Sequence, residues 1–186
     1  MNHYYENIEG WFSFPNLYTK MVYDSPENSH FVEVGTWLGK SATYMGVEIF
    51  NSNKKIKFDC VDTWKGSPEH QSNPEVINDT LYDSFLENIK PVKDIITPVR
   101  TTSLSAATLY PDNSLDFVFI DANHDYENVT ADILAWYPKV KSGGVLGGHD
   151  YMSVWPPVVQ AVNDFLAKEN YILTIQSEDC WAIKKR

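Results

Sequence analysis

Seven short runs rich in Val, Ile, Phe and Leu recur along the chain, and most are separated by stretches whose apolar residues fall at helical spacing. The runs are HFVEVG (30–35), IKFDCVD (56–62), IITPVR (95–100), LDFVFIDA (115–122), GGVLGGHD (143–150), YILTIQ (171–176) and CWAIKK (180–185). Helical patterns cover 39–50, 75–90, 104–110, 126–137 and 157–169. Parallel strands need a crossover of a dozen or more residues, usually a helix, so the alternation predicts an α/β fold with a doubly wound, mostly parallel seven-stranded sheet. The last two runs are joined by only a few residues around Ser177 and Asp179, too few for a crossover, which predicts an antiparallel C-terminal strand.

At 186 residues the chain reads as one domain, 1–186, large enough to bury about 70% of the surface its extended form exposes. Residues 1–29 precede the first strand and form an N-terminal cap segment. Its first 23 residues hold seven aromatics, Tyr4, Tyr5, Trp11, Phe12, Phe14, Tyr18 and Tyr23. They are expected to seal one sheet face, with a substrate-side cap or a homo-oligomer surface as the other reading.

A net charge of −10 disfavours a nucleic-acid partner, because such affinity comes largely from Lys and Arg that displace counterions from phosphates. No apolar run approaches the roughly 18 residues of a membrane span, so no membrane partner is expected. MNHYYENIEG has neither the basic region nor the apolar core of a signal peptide, and the expected location is cytoplasmic. Cys60 and Cys180 both sit in strand runs and read as buried free thiols rather than a disulfide. A small-molecule or glycan-like substrate remains.

In an open α/β sheet, ligands bind outside the carboxyl ends of the strands. The first such end carries FVEVGTWLGKSA (31–42). A phosphate-binding P-loop needs four residues between its first glycine and Gly-Lys-Ser/Thr, and Gly35 and Gly39 are separated by three. G-x-G-x-x-G is absent as well. What stands there is E-x-G-x-x-x-G, with an acid, Asp62, ending the second strand.

EVGTWLG followed by VDTW resembles the class I S-adenosylmethionine-dependent methyltransferases, and the likeness continues through FVFIDANHDY and GGVLGGHDY over most of the chain. The resemblance implies a Rossmann-like methyltransferase fold and S-adenosylmethionine as cofactor. It places Glu33 near the methionine ammonium, Gly35 and Gly39 where backbone approaches the cofactor, Ser41 near the methionine carboxylate and Asp62 on the ribose hydroxyls. Thr36, Trp37, Thr63 and Asp121 complete the cofactor set, with Ser103 on the adenine side and Trp64 either stacked on adenine or plugging its loop. A zwitterionic methionine suits this arrangement, since a carboxylate attracts its cationic groups and helix N–H groups attract its carboxylate.

Asp121 and His124 follow the fourth strand run, and His149 and Asp150 close the fifth. The pattern resembles metal-dependent O-methyltransferases acting on sugar hydroxyls of natural products. That resemblance implies a divalent ion on Asp121, His149 and Asp150, with His124 as proton acceptor beside Asp121. The corresponding pair after strand five is normally two acids, and a histidine in its place shifts preference from Mg towards Mn, Fe or Zn. The expected activity is methyl transfer to a hydroxyl of a small or sugar-like acceptor. The alternatives are a non-catalytic S-adenosylmethionine or nucleoside binder and a metal-dependent hydrolase, although the latter leaves Glu33 and Asp62 without a task.

Overall fold

Branched and aromatic residues dominate the strand runs, and the computed structural model, which describes residues 1–169, 171–173, 175–177 and 179–186, shows strands there. These are β1 (His30–Val34), β2 (Lys57–Asp62), β3 (Ile96–Arg100), β4 (Leu115–Ile120), β5 (Val140–Gly148), β6 (Ile175–Ser177) and β7 (Cys180–Lys184). Helices are α1 (Pro15–Asp24), α2 (Lys40–Ser52), α3 (Pro74–Ile77), α4 (Leu81–Asn88), α5 (Ser103–Ala107), α6 (Tyr126–Trp136) and α7 (Pro156–Glu169). One sheet of seven strands runs in the order β3-β2-β1-β4-β5-β7-β6. β1 to β5 are mutually parallel, and β7 is antiparallel to both β5 and β6, as the short last connection requires.

Side chains alternate across each strand, which divides the core in two. Phe31, Phe58, Cys60, Phe117 and Phe119 face one layer, where α1, α2 and α4 bring Tyr18, Met45 and Phe85. Val32, Val34, Val61, Val118 and Ile120 face the other, against Trp136 of α6 and Val162 and Phe165 of α7. Glu33 therefore lies on the α1/α2 side, which decides its partners. Much of the aromatic N-terminal segment is part of this core: Phe14 and Tyr18 are fully buried, whereas Trp11 stays 69% exposed. α1 begins on Pro15, and its last carbonyls are capped by Lys54 Nζ, which donates to Val22, Tyr23 and Ser25 at 2.9, 2.7 and 2.7 Å.

Three expectations need correction. The helix expected over 75–90 is broken into α3 and α4, because Asp79 takes a left-handed φ of 53° and pairs with Lys65 at 2.6 Å. The fifth strand starts earlier and stops at Gly148, leaving His149 and Asp150 in the following turn. Of the strand expected over 171–176, only its end coincides with β6, and Thr174 lies outside the described residues. Cys60 and Cys180 are buried and free. No helix among the described residues is long and apolar enough to cross a membrane.

Candidate active site

The strand order changes direction between β1 and β4, so the connections leaving these two neighbours go to opposite sides of the sheet and open a crevice at their carboxyl ends. Two cavities occupy it. One of 540 Å³ is walled by Asp62, Thr63, Pro68, Ser103 and Asp132. The other, of 720 Å³, is walled by Trp11, Ser13, Thr36, His124, Asp150 and Trp155. Gly35, Trp37, His70, Asp121 and Ala122 belong to both walls, so ligands in the two cavities meet there. A third cavity of 660 Å³, lined by His30, Lys57 and Asp59, sits at the opposite, amino-terminal edge of the sheet.

The glycines of the first turn serve the protein's own packing. Gly35 has φ +87°, and a Cβ there would fall 1.9 Å from the Asp121 carbonyl oxygen. Its backbone is pressed against the end of β4, which brings the turn after β1 beside Asp121. Gly39, at φ +84°, faces Phe85 and Ile89 of the core and belongs to neither wall.

Glu33 is 1% exposed and accepts hydrogen bonds from the Tyr18 hydroxyl at 2.6 Å and Ser41 Oγ at 2.8 Å. Burial pushes its pKa up to about 8 against the downward pull of those bonds. It borders neither cavity, whereas Ser41 reaches the larger one with its proton committed to Glu33. Asp62 does line the smaller cavity, but its carboxylate is largely spent on the backbone: Oδ2 accepts from the N–H groups of Thr36 and Trp37 at 2.9 and 3.0 Å, and Oδ1 from Trp64 at 2.8 Å. Trp37 and Trp64 sit at φ 48° and 51°, conformations a bulky side chain adopts only when its surroundings impose them. Trp64 is 1% exposed, packs on Tyr82 and Phe85 and donates its indole N–H to the Trp37 carbonyl, so it fills the core and does not stack on a ligand.

Pairing of Ile120 with Gly148 puts Asp121, His124, His149 and Asp150 together. His124 Nδ1 lies 2.8 Å from Glu69 and Nε2 2.9 Å from Asp150, and the ring stacks on Trp155 at 4.2 Å. Burial lowers the His124 pKa, but the bonds and charges of Asp150 and Glu69 outweigh it and hold the pKa above the ordinary value. His149 behaves alike: burial opposes its charge, Asp121 and Asp150 favour it, and the pKa rises to about 10. Asp150 is correspondingly held well below the usual carboxylate range, the two imidazoles prevailing over burial. Single ligand atoms of Asp121, His124 and Asp150 lie within 4.8 Å of one another. This grouping holds His124 where the set expected from sequence holds His149. His149 turns its Nε2 to Ser13 Oγ at 3.0 Å, leaving Nδ1 3.5 Å from both carboxylates.

Glu69, Trp155, Ser13, His70 and Asp132 escaped sequence reasoning. The first and fourth were visible only as an acid and an imidazole in the turn-rich loop TWKGSPEHQSNP, with no motif to assign them.

A mostly parallel sheet with a reversed seventh strand, carrying a crevice at its β1/β4 switch point, defines a Rossmann-like fold. Residues 32–151 match the family model described as a methyltransferase domain. The chain belongs to that family. It is 29% identical over 147 residues to the uncharacterized protein R132 of Acanthamoeba polyphaga mimivirus, covering 74% of this chain and 59% of that relative's length. Among solved structures, the O-methyltransferase NovP superposes with a TM-score of 0.67 at 19% identity, covering 92% of this chain and 78% of NovP. CalS11, a TDP-rhamnose 3'-O-methyltransferase of calicheamicin biosynthesis, gives 0.62 at 15% identity, covering 91% and 76%. At these identities the likeness to both structures is one of fold.

Proposed function

We propose that the 540 Å³ cavity receives the adenosine end of S-adenosylmethionine and that its methyl group passes to a hydroxyl oxygen of a sugar-like small molecule in the 720 Å³ cavity. The observation that carries this reading is the shared wall at Gly35 and Asp121, beside which the four Asp and His side chains converge. Thr36 Oγ1 is buried without a hydrogen-bond partner among the described residues and borders the larger cavity next to that wall. A polar group left so is costly unless a ligand completes it, which fits the methionine portion of the cofactor. Bound cofactor supplies an electrophilic methyl carbon; the protein has to orient the acceptor and take its proton. Trp11, Trp37 and Trp155 offer flat apolar faces to the C–H surface of a sugar ring, and NovP and CalS11 share the fold.

His124 is the proton acceptor in this reading: Glu69 holds Nδ1, and the acceptor hydroxyl takes the place of Asp150 at Nε2. Carboxylates at both nitrogens favour its imidazolium form. Its raised pKa means the neutral base appears only as pH climbs above the ordinary histidine value, so activity should rise with pH there. A second reading rests on the Asp121, His124 and Asp150 donor set, which suits Mn, Fe or Zn better than Mg; a cation held there would supply Lewis acidity, and His124 Nε2 would be its ligand rather than a base.

The test is release of S-adenosylhomocysteine with a panel of hydroxylated sugars and metabolites, with and without chelation, for wild type and His124→Asn. Base catalysis requires turnover that survives chelation and falls roughly 10²-fold or more in the variant. Loss of turnover on chelation, restored by Mn or Zn, selects the cation reading. Methylation confined to nitrogen or sulfur acceptors overturns hydroxyl transfer.

A further inference from the structure

At the end of the 540 Å³ cavity formed by α5 and α6, Ser103 and Asp132 are both in the wall. Asp132 is 5% exposed, an acid buried inside a helix with no cation paired to it among the described residues. Such a group needs a reason, because an uncompensated carboxylate in the interior is costly. Its partner is the Ser103 hydroxyl, which donates to Oδ1 at 2.5 Å. The same hydroxyl accepts from the indole N–H of the fully buried Trp136 at 2.9 Å.

A serine hydroxyl has one proton and two acceptor directions, an indole N–H can only donate, and an ionised carboxylate can only accept. The proton of Ser103 is therefore committed to Asp132 and one acceptor direction to Trp136. What Ser103 can still offer the cavity is a single acceptor. Burial raises the Asp132 carboxyl to about 6, so above pH 7 it is ionised and the polarity is locked.

We infer that Asp132, acting through Ser103, selects the exocyclic amine of adenine and rejects a base that carries a carbonyl at the same position. The inference rests on the adenosine end lying in this cavity. An amino group donates to the remaining acceptor direction of Ser103, whereas the oxygen of hypoxanthine would face it acceptor to acceptor with no proton between them. Ser103 is the group that touches the ligand, and Asp132 is a positioning residue that fixes which way the hydroxyl points.

The experiment is calorimetric binding at pH 8 of S-adenosylhomocysteine and S-inosylhomocysteine, two ligands that differ at the six-position of the base. Wild type should bind the inosyl compound about 10- to 100-fold more weakly, the range set by a buried polar group left unpaired. Ser103→Ala should bring the two affinities within about threefold, chiefly by weakening the adenosyl ligand. Asp132→Leu should narrow the ratio as far or invert it, because the freed hydroxyl can then donate to the carbonyl; Asp132→Asn serves the same purpose if the leucine variant does not fold. A general loss of structure would weaken both ligands alike and leave the ratio where it was. Wild type binding both equally, or a ratio unchanged in the Ser103 and Asp132 variants, overturns the inference while leaving the cofactor reading intact. Binding of neither ligand by folded wild-type protein overturns both.

Discussion

Glu33→Gln should make the protein more stable in alkaline solution and leave it nearly unchanged in mild acid. The carboxyl is 1% exposed, its two neighbours are hydroxyl donors, and no cation is paired with it among the described residues. Burial raises its pKa from 4.5 to about 8, so the folded chain holds a proton that the unfolded chain has already released. An acid whose folded pKa is raised loses stability as pH rises through the interval between the two values, and the loss is complete above the folded one. Between pH 5.5 and 9 the affected span is about 2.5 units, each worth about 1.4 kcal/mol, which amounts to about 3–4 kcal/mol. Glutamine keeps an acceptor for Ser41 and cannot ionise, so its stability should lack this decline. Urea unfolding of wild type and Glu33→Gln at pH 5.5, 7 and 9 reads the difference, which should grow in favour of the variant by about 3–4 kcal/mol across the series. A difference that stays constant with pH would refute the reasoning, since a mere change of packing does not titrate.

Gly35→Ala should cost about 2–5 kcal/mol or prevent folding, because its Cβ meets the Asp121 carbonyl at 1.9 Å and its φ is +87°; a thermal melt matching wild type would contradict the close approach. Trp64→Ala should lose about 3–5 kcal/mol in denaturant unfolding, as expected of a large core deletion, yet bind S-adenosylhomocysteine within about threefold of wild type wherever it remains folded. Mn binding followed by calorimetry should weaken about 10-fold or more in Asp121→Asn and Asp150→Asn, and less in His149→Asn, whose Nε2 is turned to Ser13; equal losses in all three would return His149 to the ligand set.

The sheet was legible because strand period and crossover length are local properties: β1, β2 and β4 start and stop within about two residues of the runs that announced them. The break at Asp79 was harder, because the apolar spacing of 75–90 continues across it and only the pairing with Lys65 shows which conformation prevails. Within the site, strand-end positions of Asp62, Asp121, His124 and Asp150 could be read off, but not where each side chain spends its hydrogen bonds. Glu33 looked like a ligand group and proves to be held by Tyr18, because the α1 face that covers it left no motif. Trp64 is a similar case: a tryptophan after a strand stacks on a ligand or on the core, and Phe85 and Tyr82, which decide the matter, are 18 or more positions away.

The knot around Asp62 divides the crevice by how far along the chain its contacts reach. Thr36, Trp37 and Trp64 meet that carboxylate from at most 26 positions away, all within the segment that runs from β1 through α2 and β2 to the turn after it. Ser13 reaches His149 across 136 positions and Glu69 reaches His124 across 55. Short loops close at little entropic cost and long ones later and with more. The hydrogen bonds around Asp62 thus close over short stretches of chain, whereas those of His124 and His149 form only once distant parts of the chain have come together. Under partial destabilisation the two should part company in hydrogen exchange, with amides around Ser13 and Glu69 opening while those at Thr36 and Trp37 stay protected, so that a loosened molecule keeps the turn after β1 after it has lost the His124 and His149 pairings.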